Sequence, residues 1–165
     1  MKYFEDEPLP DLKPEVLMEV TPEIVKDFVV LGPFLSENAP THPDTVRLKL
    51  LETLSLSNAR VMVIKADGHI RATQTAFYLP CAMGRNKGWF EDVVTDPIYV
   101  GRGFAGAIHR ELLTWLKLMG AKSAELTSAH SRERAGGFYE HFGYGQRDTR
   151  VYHKDLGTTA LHLDH

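Results

Sequence analysis

A glycine-rich segment at residues 101–106 is the part of the sequence with the clearest chemical meaning. It follows an apolar stretch and comes directly before a helix-forming one. The first turn of a helix has N–H groups without partners and carries a partial positive charge. Glycine lets a phosphate group come close to the backbone. The segment therefore predicts an anion cradle, typically for a pyrophosphate. A tight turn that binds nothing is the alternative.

Two familiar phosphate-binding motifs do not fit this segment. Gly101-Arg102-Gly103 lacks the third glycine of the dinucleotide-binding fingerprint at its required spacing. It also lacks the Gly-Lys-Ser/Thr ending of a Walker-type loop. The strands before it have an antiparallel pattern, which differs from the opening of a βαβ unit.

Two adjacent carboxylates, Glu91 and Asp92, interrupt an otherwise apolar strand. Burying a carboxylate is costly unless it is paired or its pKa is raised. Alternation along a strand would place these two side chains on opposite faces of the sheet. They are candidates for a catalytic base. The alternative is that one of them pairs with Arg71 or Arg102 and does no chemistry.

Composition narrows the function classes. The chain has 165 residues, a formal net charge of −3 and a pI of about 6.2. The length fits one domain, and the charge argues against a nucleic-acid partner, which would require a basic face. The single cysteine, Cys81, allows no intrachain disulfide and is interpreted as a small apolar residue. The eight histidines show no recognised metal spacing, so we predict no metal.

No membrane partner is expected either. No stretch approaches the ~18 consecutive apolar residues of a membrane span, and the acidic first residues lack the apolar core of a signal peptide. We therefore predict a cytoplasmic protein.

Periodicity and turn residues predict two helices, an antiparallel meander, a long helix, a short strand, another helix and a last strand. The predicted strands are 61–64, 70–79, 89–95, 123–127 and 151–152. The predicted boundaries are Thr21-Pro22-Glu23 and His42-Pro43-Asp44 at helix starts, Gly32-Pro33 and Leu56 near their ends, Asp67-Gly68 at a hairpin, Gly120 and Gly143 after later helices, and Ser131 as a helix cap.

Three ordered motifs resemble those of the GNAT superfamily of acyl-CoA N-acyltransferases, over residues 59–156. Glu-Asp-Val-Val-Thr-Asp-Pro at 91–97 resembles the family's fourth strand. Residues 101–106 resemble its Arg/Gln-x-x-Gly-x-Gly/Ala pyrophosphate loop, although Val100 replaces the opening residue. Phe-Tyr-Glu-His-Phe-Gly-Tyr at 138–144 resembles its Phe-Tyr-Glu-x-x-Gly-Phe signature. Residues 126–128, 131–133 and 147–152 further resemble a bacterial subgroup.

The resemblance implies an α/β fold of the α+β type. Its central mixed, mostly antiparallel twisted sheet would have about six to seven strands, with four helices on its two faces. We expect one domain over residues 1–165, with residues 1–14 as an extended arm and residues 157–165 as a loose tail. A homodimer is compatible with this picture, although no sequence feature demands one.

The resemblance also implies acetyl-CoA as co-substrate and assigns residues to it. Strand backbone would hold the pantetheine arm, and loop amides would hold the pyrophosphate. Arg132 stands where the family commonly has an asparagine and is a further candidate contact. The implied cofactor-binding residues are Val93, Val94, Thr95, Gly101, Arg102, Gly103, Phe104, Ala105, Gly106 and Arg132.

The implied mechanism is direct transfer of the acetyl group to a primary amine in a ternary complex. Tyr139 would be the general acid, Glu91 the base, and Asp92 a second base or an amine anchor. We expect a small-molecule acceptor rather than a protein amine. A catalytically weak acyl-CoA sensor and a protein-interaction module on the same fold are the alternatives.

Overall fold

A computed structural model describes residues 12–157. Over that range the chain forms five strands, four α-helices and a short 3-10 helix at Pro97–Tyr99. In chain order the strands are β1 Glu15–Val16, β2 Ala59–Ala66, β3 His69–Leu79, β4 Lys87–Thr95 and β5 Ser123–Glu125, and the helices are α1 Pro22–Leu35, α2 Pro43–Leu54, α3 Phe104–Met119 and α4 Glu133–His141. The chain divides into two compact units, one ending at Leu126 and the other beginning at Thr127. Most of the predicted arm and tail lies outside the described residues.

Capping side chains start the first two helices where the sequence predicts. Thr21 accepts a hydrogen bond through its hydroxyl from the backbone N–H of Ile24 at 3.3 Å. His42 Nδ1 accepts one from the N–H of Asp44 at 3.3 Å. In both helices a proline follows the cap, where its missing N–H removes no helical bond.

The observed end of α1 lies two residues beyond the predicted one near Gly32-Pro33. The helix runs on to Leu35, and the N–H of Ser36 still donates to the carbonyl of Gly32 at 3.0 Å. A proline this close to the helix end removes one hydrogen bond, while the two further residues pack Leu35 against the core. Tertiary packing therefore outweighs the local stop signal.

The sheet has the order β1-β2-β3-β4-β5. β1 to β4 pair antiparallel, which confirms the predicted meander, and β5 joins β4 in parallel. Asp67 and Gly68 form the β2–β3 hairpin turn with φ values of 54° and 77°. The α/β fold class is confirmed, but the described residues contain five strands instead of six to seven.

Two further local predictions are wrong. Val151-Tyr152 is exposed and irregular within residues 12–157, so the predicted last strand is absent there. Arg132 rather than Ser131 occupies the position before α4. The two-residue strand β1 was not predicted, because two residues carry no periodicity.

Two apolar cores lie on opposite faces of the sheet. On one face α1 and α2 cover residues such as Val61, Val63 and Val94. On the other face α3 covers Met62 and Ile64, which alternate with them along β2. Helices on both faces therefore fix β3 and β4, the strands that carry the candidate site.

Candidate active site

The outer edge of β4 is only partly paired. β5 pairs with β4 at Lys87, Gly88 and Trp89. Beyond Trp89 no strand within residues 12–157 pairs with this edge, so the backbone of residues 90–95 is open to another extended chain. An extended ligand can add to such an edge through main-chain hydrogen bonds. The predicted pantetheine residues Val93, Val94 and Thr95 all lie on this stretch.

A β-bulge interrupts β4 at the same place. Thr75 pairs with Glu91 and Thr73 pairs with Val94, so β4 has one residue more than β3 across this interval. Asp92 has a φ of 54°, in the left-handed region that aspartate tolerates better than most residues. The predicted alternation of Glu91 and Asp92 is therefore wrong, because a bulge re-aims the side chains that follow it.

The predicted anion loop follows β4 through the 3-10 helix and ends at the first turn of α3. Gly101 and Gly103 have φ values of 81° and 84°, and a Cβ at either position would meet no atom within 4 Å. Gly103 is the residue before α3, and no side chain caps this helix. The first N–H groups of α3 are therefore available to an anion, and two glycines leave the approach to them open.

The loop is held by a group of polar and aromatic side chains. Arg71 pairs with the buried Asp96 at 3.0 Å, and Asp96 also accepts from the N–H of Ile98. The Tyr99 hydroxyl donates to Asp67 in the β2–β3 turn. The Arg102 guanidinium lies 5.0 Å from the Tyr99 ring centroid. Neither arginine pairs with Glu91 or Asp92 as the alternative interpretation required.

The start of α3 is also bonded directly to the sheet. Gln74 Nε2 donates to the carbonyl of Ala105 at 2.8 Å, and its Oε1 lies 2.8 Å from His109 Nδ1. Both side chains are buried, and burial lowers the pKa of His109 to about 4. A neutral imidazole can donate to Gln74 without an uncompensated charge in the core. Sequence patterns gave no signal for this network, because Gln74 is 31 residues from Ala105 and 35 residues from His109.

A cavity of about 330 Å³ lies on the other face of the sheet, between α1, α2 and the strands. Asp92 lines it, together with Thr73 and Thr75 of β3. α2 adds Lys49 and Glu52. The bulge thus brings a carboxylate into a pocket whose walls come from three separate parts of the sequence.

The electrostatic surroundings distinguish the two carboxylates. Partial loss of contact with solvent raises the pKa of Asp92, and the negative charge of the adjacent Glu91 raises it further. The positive charge of Lys49 lowers this pKa. Glu91 and Asp92 are both exposed to solvent, and Glu91 also accepts a hydrogen bond from Trp89 Nε1 at 2.7 Å. A carboxylate with a raised pKa is a better proton acceptor, so Asp92 has the properties of a base.

The second unit contains the other two predicted residues, Tyr139 and Arg132. Tyr139 lies on α4, where its ring packs edge-on against Phe138 and Tyr144. Burial raises the pKa of Tyr139, and Arg132 partly opposes this effect. The Tyr139 hydroxyl therefore keeps its proton at neutral pH, as a proton donor must.

Residues 25–144 match the Acetyltransferase (GNAT) family, and this span covers most of the chain. The chain belongs to the GNAT acetyltransferase family. It is therefore an acyltransferase that uses an acyl-coenzyme A donor. Membership also favours the enzyme over the interaction module considered from the sequence. No curated protein matches the sequence.

Solved structures support the same fold. An acetyltransferase from Trypanosoma brucei is 25% identical, with a TM-score of 0.71, covering 88% of this chain and 100% of that one. Glucosamine-6-phosphate N-acetyltransferase from Arabidopsis thaliana is 19% identical, with a TM-score of 0.70 and coverage of 88% and 99%. AAC(6')-Iy, in complex with the bisubstrate analogue CoA-S-monomethyl-acetylneamine, is 12% identical, with a TM-score of 0.73 and coverage of 88% and 99%.

The described part of the chain contains neither a candidate metal centre nor a candidate membrane span. Between residues 12 and 157, no group of three His, Cys, Asp or Glu side chains is arranged to hold a metal ion. No helix in that range combines the length and the apolar character needed to cross a membrane.

Proposed function

We propose that this protein transfers the acetyl group of acetyl-CoA directly to a primary amine within a ternary complex. The observation that carries the proposal is the open edge of β4 at residues 90–95, which leads into an uncapped helix start. A ligand with an extended arm and a diphosphate at its end would fit this arrangement, in which a strand edge is followed by a helix start. Pairing along the edge would hold the arm, and the N–H groups of α3 would hold the diphosphate.

The donor-binding roles follow from this arrangement. Backbone groups of Val93, Val94 and Thr95 would bind the pantetheine arm and direct the thioester toward the bulge. The pyrophosphate would lie over Gly101 and Gly103, whose missing side chains leave the space open. Arg102, Phe104, Ala105 and Gly106 complete the predicted loop, and the family resemblance adds Arg132.

The acid and base roles follow from the protonation states. A primary amine must lose a proton to attack the thioester, and one of the adjacent carboxylates Glu91 and Asp92 would take it. The leaving thiolate needs a proton, and the family resemblance assigns its donation to Tyr139. The Tyr139 hydroxyl is protonated at neutral pH, as any tyrosine with an ordinary or raised pKa is, so it has a proton to donate.

Calorimetry with acetyl-CoA tests the donor site through a matched pair of variants, Gly103→Asp and Gly103→Asn. Both residues tolerate a positive φ, and they have almost the same shape. Only aspartate adds a negative charge opposite the diphosphate. We expect micromolar binding by the parent, a small loss for Gly103→Asn, and a loss of at least about tenfold for Gly103→Asp.

Equal affinity of the two variants would show that no anion binds at this helix start. Absence of acetyl-CoA binding by the parent would contradict the proposed donor altogether. If the parent binds, release of free CoA in the presence of a panel of amines measures the transfer itself.

A further inference from the structure

We propose that the acceptor is a primary amine attached to a compact apolar body. Its nitrogen would lie between the Asp92 carboxylate and the Thr75 hydroxyl. This inference rests on the proposed function and narrows the acceptor that the same site takes. It also selects Asp92 over Glu91 as the group that receives the amine proton.

The walls of the cavity set the character of the acceptor. Ten of its sixteen lining residues are apolar or glycine, and they include Phe28, Leu31 and Leu35 of α1 and Val61 of β2. The volume of about 330 Å³ is at the lower end of the range for ligand pockets. A hydroxyl-rich amino sugar would place several of its polar groups against walls in which ten of sixteen residues offer no side-chain hydrogen bond, which is unfavourable. A short alkyl or aryl chain would lose nothing there.

The polar groups of the cavity have distinct positions. Thr73 and Thr75 both line it from β3, but the Thr73 hydroxyl already donates to the carbonyl of Met62 at 3.1 Å. Among residues 12–157 the structure gives the Thr75 hydroxyl no hydrogen-bond partner, although Thr75 is only 3% exposed. Thr75 pairs across the sheet with Glu91, the residue next to Asp92. An amine placed at the bulge would therefore meet one carboxylate and one free hydroxyl.

Glu91 is less suited to the same role. Glu91 Oε1 already accepts a hydrogen bond from Trp89 Nε1 at 2.7 Å, and Glu91 does not line the cavity. Asp92 does line it, and its left-handed backbone conformation comes from the bulge itself. The local geometry thus separates two carboxylates that the sequence leaves equivalent.

The chemical step balances with these groups. The amine binds as an ammonium ion and passes one proton to the Asp92 carboxylate. Its nitrogen lone pair then attacks the thioester carbonyl carbon, a C–N bond forms, and the C–S bond breaks. The sulfur leaves as a thiolate and takes a proton from the general acid. The second proton of the former ammonium passes to solvent as the tetrahedral centre collapses to the amide, and the general acid regains a proton from solvent.

The first experiment compares acceptors under saturating acetyl-CoA. Two apolar amines, 2-phenylethylamine and hexylamine, are measured against glucosamine 6-phosphate and neamine by release of free CoA. We expect kcat/KM to favour the apolar amines by at least about tenfold. A preference for either amino sugar would overturn the inference and leave the proposed function intact.

The second experiment measures amine binding without the donor. Calorimetry of the free protein with 2-phenylethylamine is compared for the parent, Asp92→Asn, Glu91→Gln, Thr75→Val and Thr73→Val. We expect Asp92→Asn to abolish detectable binding and to lower kcat/KM about 100-fold. Thr75→Val should weaken binding about tenfold. Glu91→Gln should weaken amine binding less than Asp92→Asn does. Thr73→Val should weaken it less than Thr75→Val does.

The two experiments separate failure of the inference from failure of the proposed function. A larger loss with Glu91→Gln than with Asp92→Asn would overturn the choice of base. Amine binding that does not change in Asp92→Asn and Thr75→Val would overturn the location of the acceptor. Loss of acetyl-CoA binding with retained amine binding would contradict the proposed donor and not the acceptor site. Urea unfolding of each variant confirms that it is folded before it is compared.

Discussion

The two faces of the sheet in the first unit are built from the same strands and differ in how completely they are filled. On the α3 side Gln74 of β3 is buried, and both ends of its amide are hydrogen-bonded. On the α1 and α2 side its neighbours Thr73 and Thr75 line a cavity. The closed face anchors the start of α3, which carries the loop proposed to bind the donor. The open face leaves room for a second substrate.

This difference has a physical origin in the residues that alternate along the strands. The α3 face contains large, fully buried side chains such as Ile108, Leu112 and Leu116, which fill the space above the sheet. The residues of β3 that line the cavity on the other side are two threonines, and the bulge adds Asp92 where an apolar side chain would complete the packing. Polar residues at these positions keep the second face from closing.

The largest expected effect is a difference in stability between two leucine truncations, one on each face of the sheet. Leu112 of α3 is completely buried against the sheet, whereas Leu35 of α1 is half-buried beside the cavity. Leu112→Ala should lower the free energy of unfolding by about 3–4 kcal/mol, since it leaves a void in close-packed surroundings. Leu35→Ala should cost about 1 kcal/mol, because it widens a space that already exists. Urea unfolding of both variants checks this, and equal losses would mean that the faces are equally packed.

Acidification should lower the free energy of unfolding through His109, which is buried on the α3 side of the sheet. Burial lowers the pKa of His109 to about 4, below its value near 6.5 in an unfolded chain. Between these values the unfolded state binds more protons, so stability is lost as the pH falls from about 6.5 toward about 4. The full difference corresponds to about 3 kcal/mol. Urea unfolding across this pH range should show a weaker pH dependence in His109→Gln, and identical slopes would exclude His109 as the cause.

The closed face and the loop were largely predictable from the sequence. Apolar spacing gave α3, and Gly101 and Gly103 gave the turn before it, because both signals are local in the chain. The alternation rule failed at Asp92, since the bulge depends on how β4 pairs with Thr73 and Thr75 of β3 and not on β4 alone. The preference of aspartate for left-handed backbone was the one available hint.

The cavity and the Gln74–His109 network could not be predicted, because residues far apart in sequence form both. Lys49 of α2 and Asp92 of β4 are neighbours only in the folded chain.

The bulge should be sensitive to side-chain shape, at a cost smaller than that of a core truncation. Asp92 has a φ of 54°, and a β-branched residue is a strong outlier there. Asp92→Val should therefore lower the free energy of unfolding by about 1–2 kcal/mol, while Asp92→Gly should be close to neutral. Unfolding in urea distinguishes them. If valine and glycine were equally tolerated, β4 would be regular at this point and the carboxylate would not be held in the cavity.

The smallest expected effect is a displacement of the pH profile by the charges around the cavity. Lys49 lowers the pKa of Asp92, and Glu91 raises it. If Asp92 is the base, the acidic limb of kcat/KM reports its titration, since the carboxylate must be ionised to take a proton. Lys49→Met should then move this limb to higher pH, and Glu91→Gln should move it to lower pH. Opposite displacements of one limb by two single variants would assign it to Asp92. Displacement in the same direction, or none, would assign it to a group outside the cavity, since both changes act through the field at one carboxylate.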